Sequence, residues 1–483
     1  MSSNRTDLMR RAVGSLFALA FAGTVQAAAN IELFNGNAAG VGLNDPTPVA
    51  PLPSNPGTTL GAQRTNVLLE AARIWGETLD SDVTIQMLVG FVSLSCTANS
   101  AVLASAGPTT VFRDYPGASR AGTWFPVALA NKQFGQDLTP VINTANDLDL
   151  VARFNINLGA ANCLTGSPYY LGTDGNAPAG TVDLLTTALH EFAHGLGFTA
   201  LTSGQTGARI AGFPAIWEYY MFDPQQNKRW IDMIDAERVT SAATPLNLVW
   251  DGPAVNAAVP EVLWGRPKMT VQWAWFAGRN AALELGTASF GKFYDRNYFQ
   301  TDHIERVRDQ PDGRGLACDP LSAENRAAVR GRLALVDRGV CTFVIKAKNL
   351  QDAGATGMIL VNNVPGPAPA LGGSDPTVTI VAVSVSQADG EALKAAADAA
   401  QARGRAPIHA QLRRDRDNLA GANADKRVFL FTPSPFQAGS SVSHYDSSAT
   451  PNLLMEPSAS PNQPIAVRAP LDLTYELFKD IGW

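Results

Sequence analysis

From Gln63 to Leu79 the apolar residues Val67, Leu68, Ala71, Ile74, Trp75 and Leu79 recur at helical spacing, which predicts an amphipathic helix. Val83 to Leu94 is rich in β-branched and apolar residues and reads as a buried strand. Val151 to Leu158 alternates through Val151, Phe154, Ile156 and Leu158, with one irregularity, and reads as a second strand. Asp183 is placed to cap a helix running to about Leu196, with Leu184, Leu185, Ala188, Leu189, Phe192, Ala193 and Leu196 as its apolar positions. Gly195 and Gly197 supply its stop signals. The Pro-, Gly- and Asn-rich stretch 41–57 reads as a loop.

A different pattern follows further on. Arg332 to Val336 reads as a strand, Arg338-Gly339 as a turn, Phe343 to Ala353 as a helix ending at Gly354, and Met358 to Val361 as a strand. That order predicts a parallel strand–helix–strand unit. Gln387 to Ala402 is an alanine-rich helix, the charged stretch 412–427 reads as a linker, and Asp472 to Phe478 is a short amphipathic helix. There is no internal repeat.

Composition narrows the setting. A chain of 483 residues with 46% hydrophobic content is too long for one ordinary core and suggests two or three domains. Net charge is −6 with only 17% charged residues and no basic patch, which argues against a nucleic-acid partner. Arg5, Arg10 and Arg11, then the uncharged run Ala12 to Val25, then Val25-Gln26-Ala27, have the layout of a secretory signal peptide over 1–27. The run is short for a bilayer span, and no later stretch reaches that length, so the expectation is a secreted or periplasmic protein with no stable membrane insertion after cleavage. Four cysteines in an exported chain suggest two disulfides. Three pairings are open; chain order favours Cys96–Cys163 and Cys318–Cys341, since each pair then falls within one domain.

The sharpest chemical signal is His190-Glu191-Phe192-Ala193-His194. On a helix, residues four apart share a face, so both imidazoles reach one metal ion without bending the backbone. Imidazole nitrogens suit zinc, and Glu191 is placed to act as general base and then general acid toward an attacking water. Catalytic zinc needs a third protein ligand. Gly197 would let the chain turn away; the motif resembles that of the metzincin peptidases, which implies a next ligand three residues after this glycine, but that position is Ala200, which cannot ligate. His303 and His409 have no partners at ligand spacing and read as structural or exposed.

Downstream stand Ser443-His444-Tyr445-Asp446 and Asn452-Leu453-Leu454-Met455-Glu456-Pro457. With His190, Glu191, His194, Leu196, Gly197 and Phe198, this arrangement resembles the leishmanolysin-type metzincins, in which a long insertion precedes a histidine and, eleven residues later, the methionine of a turn. The resemblance implies that His444 is the third zinc ligand, that Met455 forms an apolar floor beneath the site, and that the fold is α+β with a twisted sheet beside the active-site helix. The motifs cover about a tenth of the chain. Tyr445 stands where the family often has tryptophan, and the insertion is longer than the family minimum. Tyr445 reads as a packed or exposed tyrosine in preference to an oxyanion donor.

Residues Gly331 to Phe343, then Lys346, Ala353-Gly354-Ala355 and Val361-Asn362-Asn363, look like a β-rich protease-associated (PA) domain, in looser form over 255–415. That resemblance implies a role in substrate access or protein contact; a mere spacer is the plainer alternative. The resulting expectation is a discontinuous catalytic domain, 28–254 plus 416–483, around the PA insertion. It would be a secreted endopeptidase acting on protein or peptide substrates through a zinc-activated water, with one Zn2+ per chain. The alternatives are a zinc-stabilised, non-catalytic envelope or adhesion protein that binds partners through its PA domain, and an exopeptidase.

Overall fold

The computed structural model describes residues 28–140, 147–272, 280–292, 296–404, 408–460 and 463–483. The signal peptide expected at 1–27 lies outside the described residues. Among the described residues no helix is long and apolar enough to cross a membrane.

The chain opens with β1 (Ile31–Asn35), α1 (Leu60–Gly76) and β2 (Ile85–Val92). The Thr59 hydroxyl accepts from the Ala62 amide at 3.2 Å and so caps α1. Val67, Leu68, Ala71 and Trp75 of α1 are buried, as their spacing predicts. β3 (Ala104–Pro108) and β4 (Leu150–Asn155) complete a four-stranded sheet in the order β1-β2-β4-β3. β1, β2 and β4 run parallel and β3 is antiparallel to β4. α2 (Leu184–Leu196) lies against this sheet and α1; α3 (Pro253–Val262) follows it.

The chain then enters a second, eight-stranded sheet. Its labelled elements are β5 (Gly265–Gln272), β6 (Phe299–Arg306), β7 (Leu333–Asp337), α4 (Phe343–Asp352), β8 (Gly357–Val361), β9 (Val381–Val385), α5 (Gln387–Ala402) and β10 (His409–Leu419). The order is β5-β10-β6-β7-β8-β9, flanked by Asn280–Glu284 beside β5 and Gly286–Thr287 beside β9. β6, β7, β8 and β9 are parallel, so the strand–helix–strand expectation holds at β7-α4-β8. β7 and β8 are buried on both faces, as a parallel sheet covered by helices requires.

Three differences from the sequence reading have physical causes. The stretch read as a linker from 412 is strand β10 as far as Leu419. Its charges misled: Arg414 is buried and donates to the Gly265 carbonyl at 3.1 Å, while Asp415 pairs with Lys268 at 2.8 Å. Secondly, α3, counted with the insertion from 255, packs its Val255, Val259 and Val262 into the first core. The second sheet begins at Gly265, which pairs with Leu419, so the inserted chain enters and leaves through adjacent strands. Thirdly, Gly195 does not stop α2; it lies inside the helix, where a Cβ would come within 2.8 Å of Leu150.

After β10 the chain returns to the first body and ends in α6 (Thr474–Ile481). The first core joins residues from Ala29 to Leu263 with residues from Leu419 to Trp483, while two further cores cover the faces of the second sheet. The cysteines are bonded Cys96–Cys163 and Cys318–Cys341.

Candidate metal centre

α2 is the platform. The Asp183 carboxylate accepts from the Thr186 amide at 2.9 Å, which caps the helix at its amino end. Every residue of α2 except the half-buried His190 is buried. Three indoles from distant parts of the chain hold its carbonyls. Trp75 donates to Leu189 at 3.0 Å, Trp483 to Leu196 at 3.0 Å and Trp217 to Gly197 at 2.8 Å. The last two satisfy acceptors that a helix end leaves without partners. Gly197 ends the helix with φ of +125°, a backbone conformation that favours glycine.

His190, His194 and His444 come together. Their Nε2 atoms lie 3.1 Å (His190–His194), 3.2 Å (His190–His444) and 3.1 Å (His194–His444) apart. Each Nδ1 faces a backbone carbonyl: Leu454 at 2.8 Å for His190, Phe198 at 2.7 Å for His194 and Ser440 at 2.8 Å for His444. A carbonyl only accepts, so each Nδ1 carries the proton and donates it. Burial lowers the His190 pKa to about 4 and that of His194 to about 3, and puts His444 well below the usual histidine range, so the rings are neutral near pH 7.

Three neutral rings protonated at Nδ1 present three Nε2 lone pairs to one point. No proton lies between them, and such a cluster repels itself unless a cation sits at its centre. Zinc–nitrogen bonds of about 2.0–2.1 Å in tetrahedral geometry place two ligand nitrogens about 3.3 Å apart, close to the separations found. The donor set therefore fits zinc, and the carbonyl contacts supply the outer support that orients ligating histidines. Among the described residues this is the one group of three or more His, Cys, Asp or Glu side chains whose ligand atoms cluster for a metal.

The other expected residues take distinct places. Glu191 follows His190 on α2 and is buried; desolvation pushes its carboxyl up to about 8. Met455 is fully buried in the first core, and its carbonyl accepts from the Tyr445 amide at 2.8 Å. Tyr445 is packed, with its ring 5.1 Å from that of Phe198 and its hydroxyl donating to the Leu473 carbonyl at 3.2 Å. That hydroxyl is turned to the core and holds no oxyanion. Cys96, Cys163, Cys318 and Cys341 are disulfide-bonded and supply no metal ligand.

Two carboxylates that the sequence reading missed secure the turn beneath the triad. Asp472 accepts from the Leu454 amide at 2.7 Å, and the Leu454 carbonyl receives the His190 proton. Glu456 accepts from the Leu453 amide at 2.9 Å. Both are buried, and burial raises the Asp472 pKa and pushes that of Glu456 up to about 8. In the sequence Asp472 was read only as the first residue of a short helix, which in the structure begins at Thr474.

Comparison with known proteins gives the inserted region its class. Residues 306–393 match the family model of the PA domain, so the chain is a mixed α+β protein carrying an inserted PA domain. Two curated relatives share short stretches. The chain is 40% identical over 79 residues to receptor homology region, transmembrane domain- and RING domain-containing protein 1 of Oryza sativa subsp. japonica, covering 16% of this chain and 15% of that protein. It is 46% identical over 65 residues to leucine aminopeptidase 2 of Arthroderma otae, 13% of each chain. The chain thus spans about a seventh of the length of these relatives. Among solved structures, a zinc aminopeptidase from Bacillus subtilis aligns over 33% of this chain and 35% of its own at 22% identity, with a TM-score of 0.22. The aminopeptidase of Aneurinibacillus sp. strain AM-1 aligns over 32% and 31% at 24% identity, also with a TM-score of 0.22.

Proposed function

We propose that this chain is a secreted zinc-dependent endopeptidase of the metzincin kind, with His190, His194 and His444 as metal ligands and Glu191 as general base. The observation that carries the reading is the convergence of three neutral imidazole lone pairs, two of them from α2, with the buried Glu191 carboxyl on that same helix. A zinc ion held there would supply Lewis-acid polarisation of a scissile carbonyl and would lower the pKa of water. Glu191 takes the proton of the attacking water and hands it to the departing amine. Burial raises its affinity for a proton above that of a free carboxylate, which suits it to hold a proton between the two transfers. The rings of His190, His194 and His444 stay fixed throughout, because each donates its Nδ1 proton to a backbone carbonyl.

An exopeptidase with two metals would need a second set of ligands, commonly bridged by carboxylates. The clustered set among the described residues contains three histidines and no carboxylate, which favours one catalytic metal. The non-catalytic alternative has no use for Glu191 beside the ligands. Purified full-length protein should cleave casein internally, contain zinc, and lose activity on treatment with a chelator. Zinc-containing protein that cleaves neither casein nor amino-terminal amino-acid amides would overturn the enzyme reading; release of amino-terminal residues alone would replace endopeptidase by aminopeptidase. The signal peptide over 1–27 and export belong to the same proposal, as does a PA domain that controls access of protein substrates.

A further inference from the structure

The chain has five histidines, and the two outside the triad also meet. His303 on β6 and His409 on β10 are direct partners across an antiparallel pair. Side chains at such positions rise from the same face with Cβ atoms about 4.5–5.5 Å apart. The two rings have centroids 5.4 Å apart at 75°. The triad gives a measure within the same molecule: His190 and His194 stand at 4.8 Å and 79°, His194 and His444 at 4.7 Å and 72°, and His190 and His444 at 5.1 Å and 30°. The second pair therefore stands within about 0.7 Å of the spacing of the ligand pairs. Gln272 of β5 is the partner of His409 on its other side, so Gln272, His409 and His303 form a row across three strands. Gln272 and His303 are exposed and His409 is half-buried.

Proton placement strengthens the case. His409 Nε2 lies 2.9 Å from the Thr301 hydroxyl oxygen. That hydroxyl also lies 3.5 Å from the Ala410 carbonyl; when its single proton goes there, its oxygen accepts from Nε2–H. In that tautomer Nδ1 carries the lone pair. That Nδ1 is buried and has no hydrogen-bond partner, an arrangement that costs free energy unless something binds there. The triad uses the same division of labour, with one ring nitrogen donating to an oxygen and the other open as a ligand.

We infer that His303 and His409 form a second, bidentate site for a divalent transition-metal ion of the imidazole-preferring group, Ni2+, Cu2+ or Zn2+. Gln272 is the neighbouring side chain able to add an amide oxygen. With two imidazoles in place of three, this site binds more weakly than the triad. It clamps β6 to β10 where the parallel half of the sheet meets the antiparallel half. Both histidines lie outside the matched PA stretch of 306–393, so the site is a feature of this chain beyond what the domain model describes. The inference does not rest on the peptidase reading.

The test uses the full chain with zinc already bound and Ni2+ as the probe, followed by calorimetry, with zinc retention checked by elemental analysis. One additional Ni2+ per chain is expected. His303→Gln and His409→Gln should each weaken that binding by about ten-fold or more. Should either variant fold poorly, the unaltered protein gives an independent reading: Ni2+ should protect His303 and His409 from diethylpyrocarbonate, as mapped by mass spectrometry. Absence of Ni2+ uptake, uptake unchanged in both variants, or modification of both histidines at an undiminished rate would each overturn the site.

Discussion

The backbone amide of Ala200 donates to the hydroxyl oxygen of Ser443 at 3.1 Å. Ala200 stands where a ligand close in sequence would have been expected, and Ser443 immediately precedes His444. The returning chain is therefore docked on the position that lacks a donor side chain, and it brings His444 with it. The same return places Leu454 under His190, so one short segment supplies both the third ring and the support of the first.

Replacing His444 should therefore act on the metal before it acts on the fold. His444→Ala removes one of three converging nitrogens, and the expected result is zinc retention reduced at least about ten-fold with hydrolysis abolished. His303→Ala and His409→Ala should leave the triad's zinc and hydrolysis unchanged. Elemental analysis after dialysis against a weak chelator distinguishes these outcomes, and full zinc retention by His444→Ala would remove it from the ligand set.

Glu191→Gln preserves shape while abolishing the proton acceptor. Zinc content should persist while casein hydrolysis falls by about 10²-fold or more. Hydrolysis at the parental rate would take Glu191 out of the mechanism.

Asp472 acts at one remove, through the Leu454 amide and carbonyl to the His190 ring. Asp472→Asn keeps an acceptor for that amide but weakens it, whereas Asp472→Ala leaves the amide bare. Metal affinity should fall in the order parent, Asn, Ala, with the Ala variant about 10–100-fold weaker. A purely structural role would lower the melting temperature without this graded loss of zinc.

Asp149 offers a pH test remote from the metal. Burial pushes its carboxyl up to about 7, with the nearby Asp137 charge adding to the rise, although the Gln86 amide and Asn131 favour the charged form. A raised folded pKa means that the folded chain holds a proton that the unfolded chain releases near pH 4. This contribution to stability is complete below pH 4 and is lost as pH rises through about 7. Asp149→Asn should therefore melt at a higher temperature than the parent at pH 8, with the advantage shrinking toward pH 4. An equal difference at both pH values would mean that the carboxyl is not protonated in the folded chain.

The Cys318–Cys341 bond closes a loop with a sequence separation of 23 inside the PA-bearing sheet. In the chain-entropy model that closure contributes about 3 kcal/mol. The double variant Cys318→Ser/Cys341→Ser should lower the chemical unfolding midpoint of this region by a corresponding amount and leave zinc content unchanged. An unaltered midpoint would show that the bond contributes nothing to stability.

What the sequence determined by itself was local. Four-residue spacing puts His190 and His194 on one helical face wherever that helix lies; helical periodicity placed α1 and α4, and runs of β-branched and apolar residues placed β2 and β8, within a few residues. Motif spacing singled out His444, but only as a resemblance. Tertiary structure decided which carbonyls fix the tautomers of the triad, that Asp472 and Glu456 brace the turn below it, that Tyr445 faces the core, and that His303 and His409 are neighbours. It also turned the charged run from 412 into a strand, because sheet neighbours Gly265 and Lys268 receive its Arg414 and Asp415. The reason is the same in each case: helix and strand periods act between residues a few positions apart, whereas strand register and chain return join residues hundreds of positions apart, and no local spacing encodes that pairing.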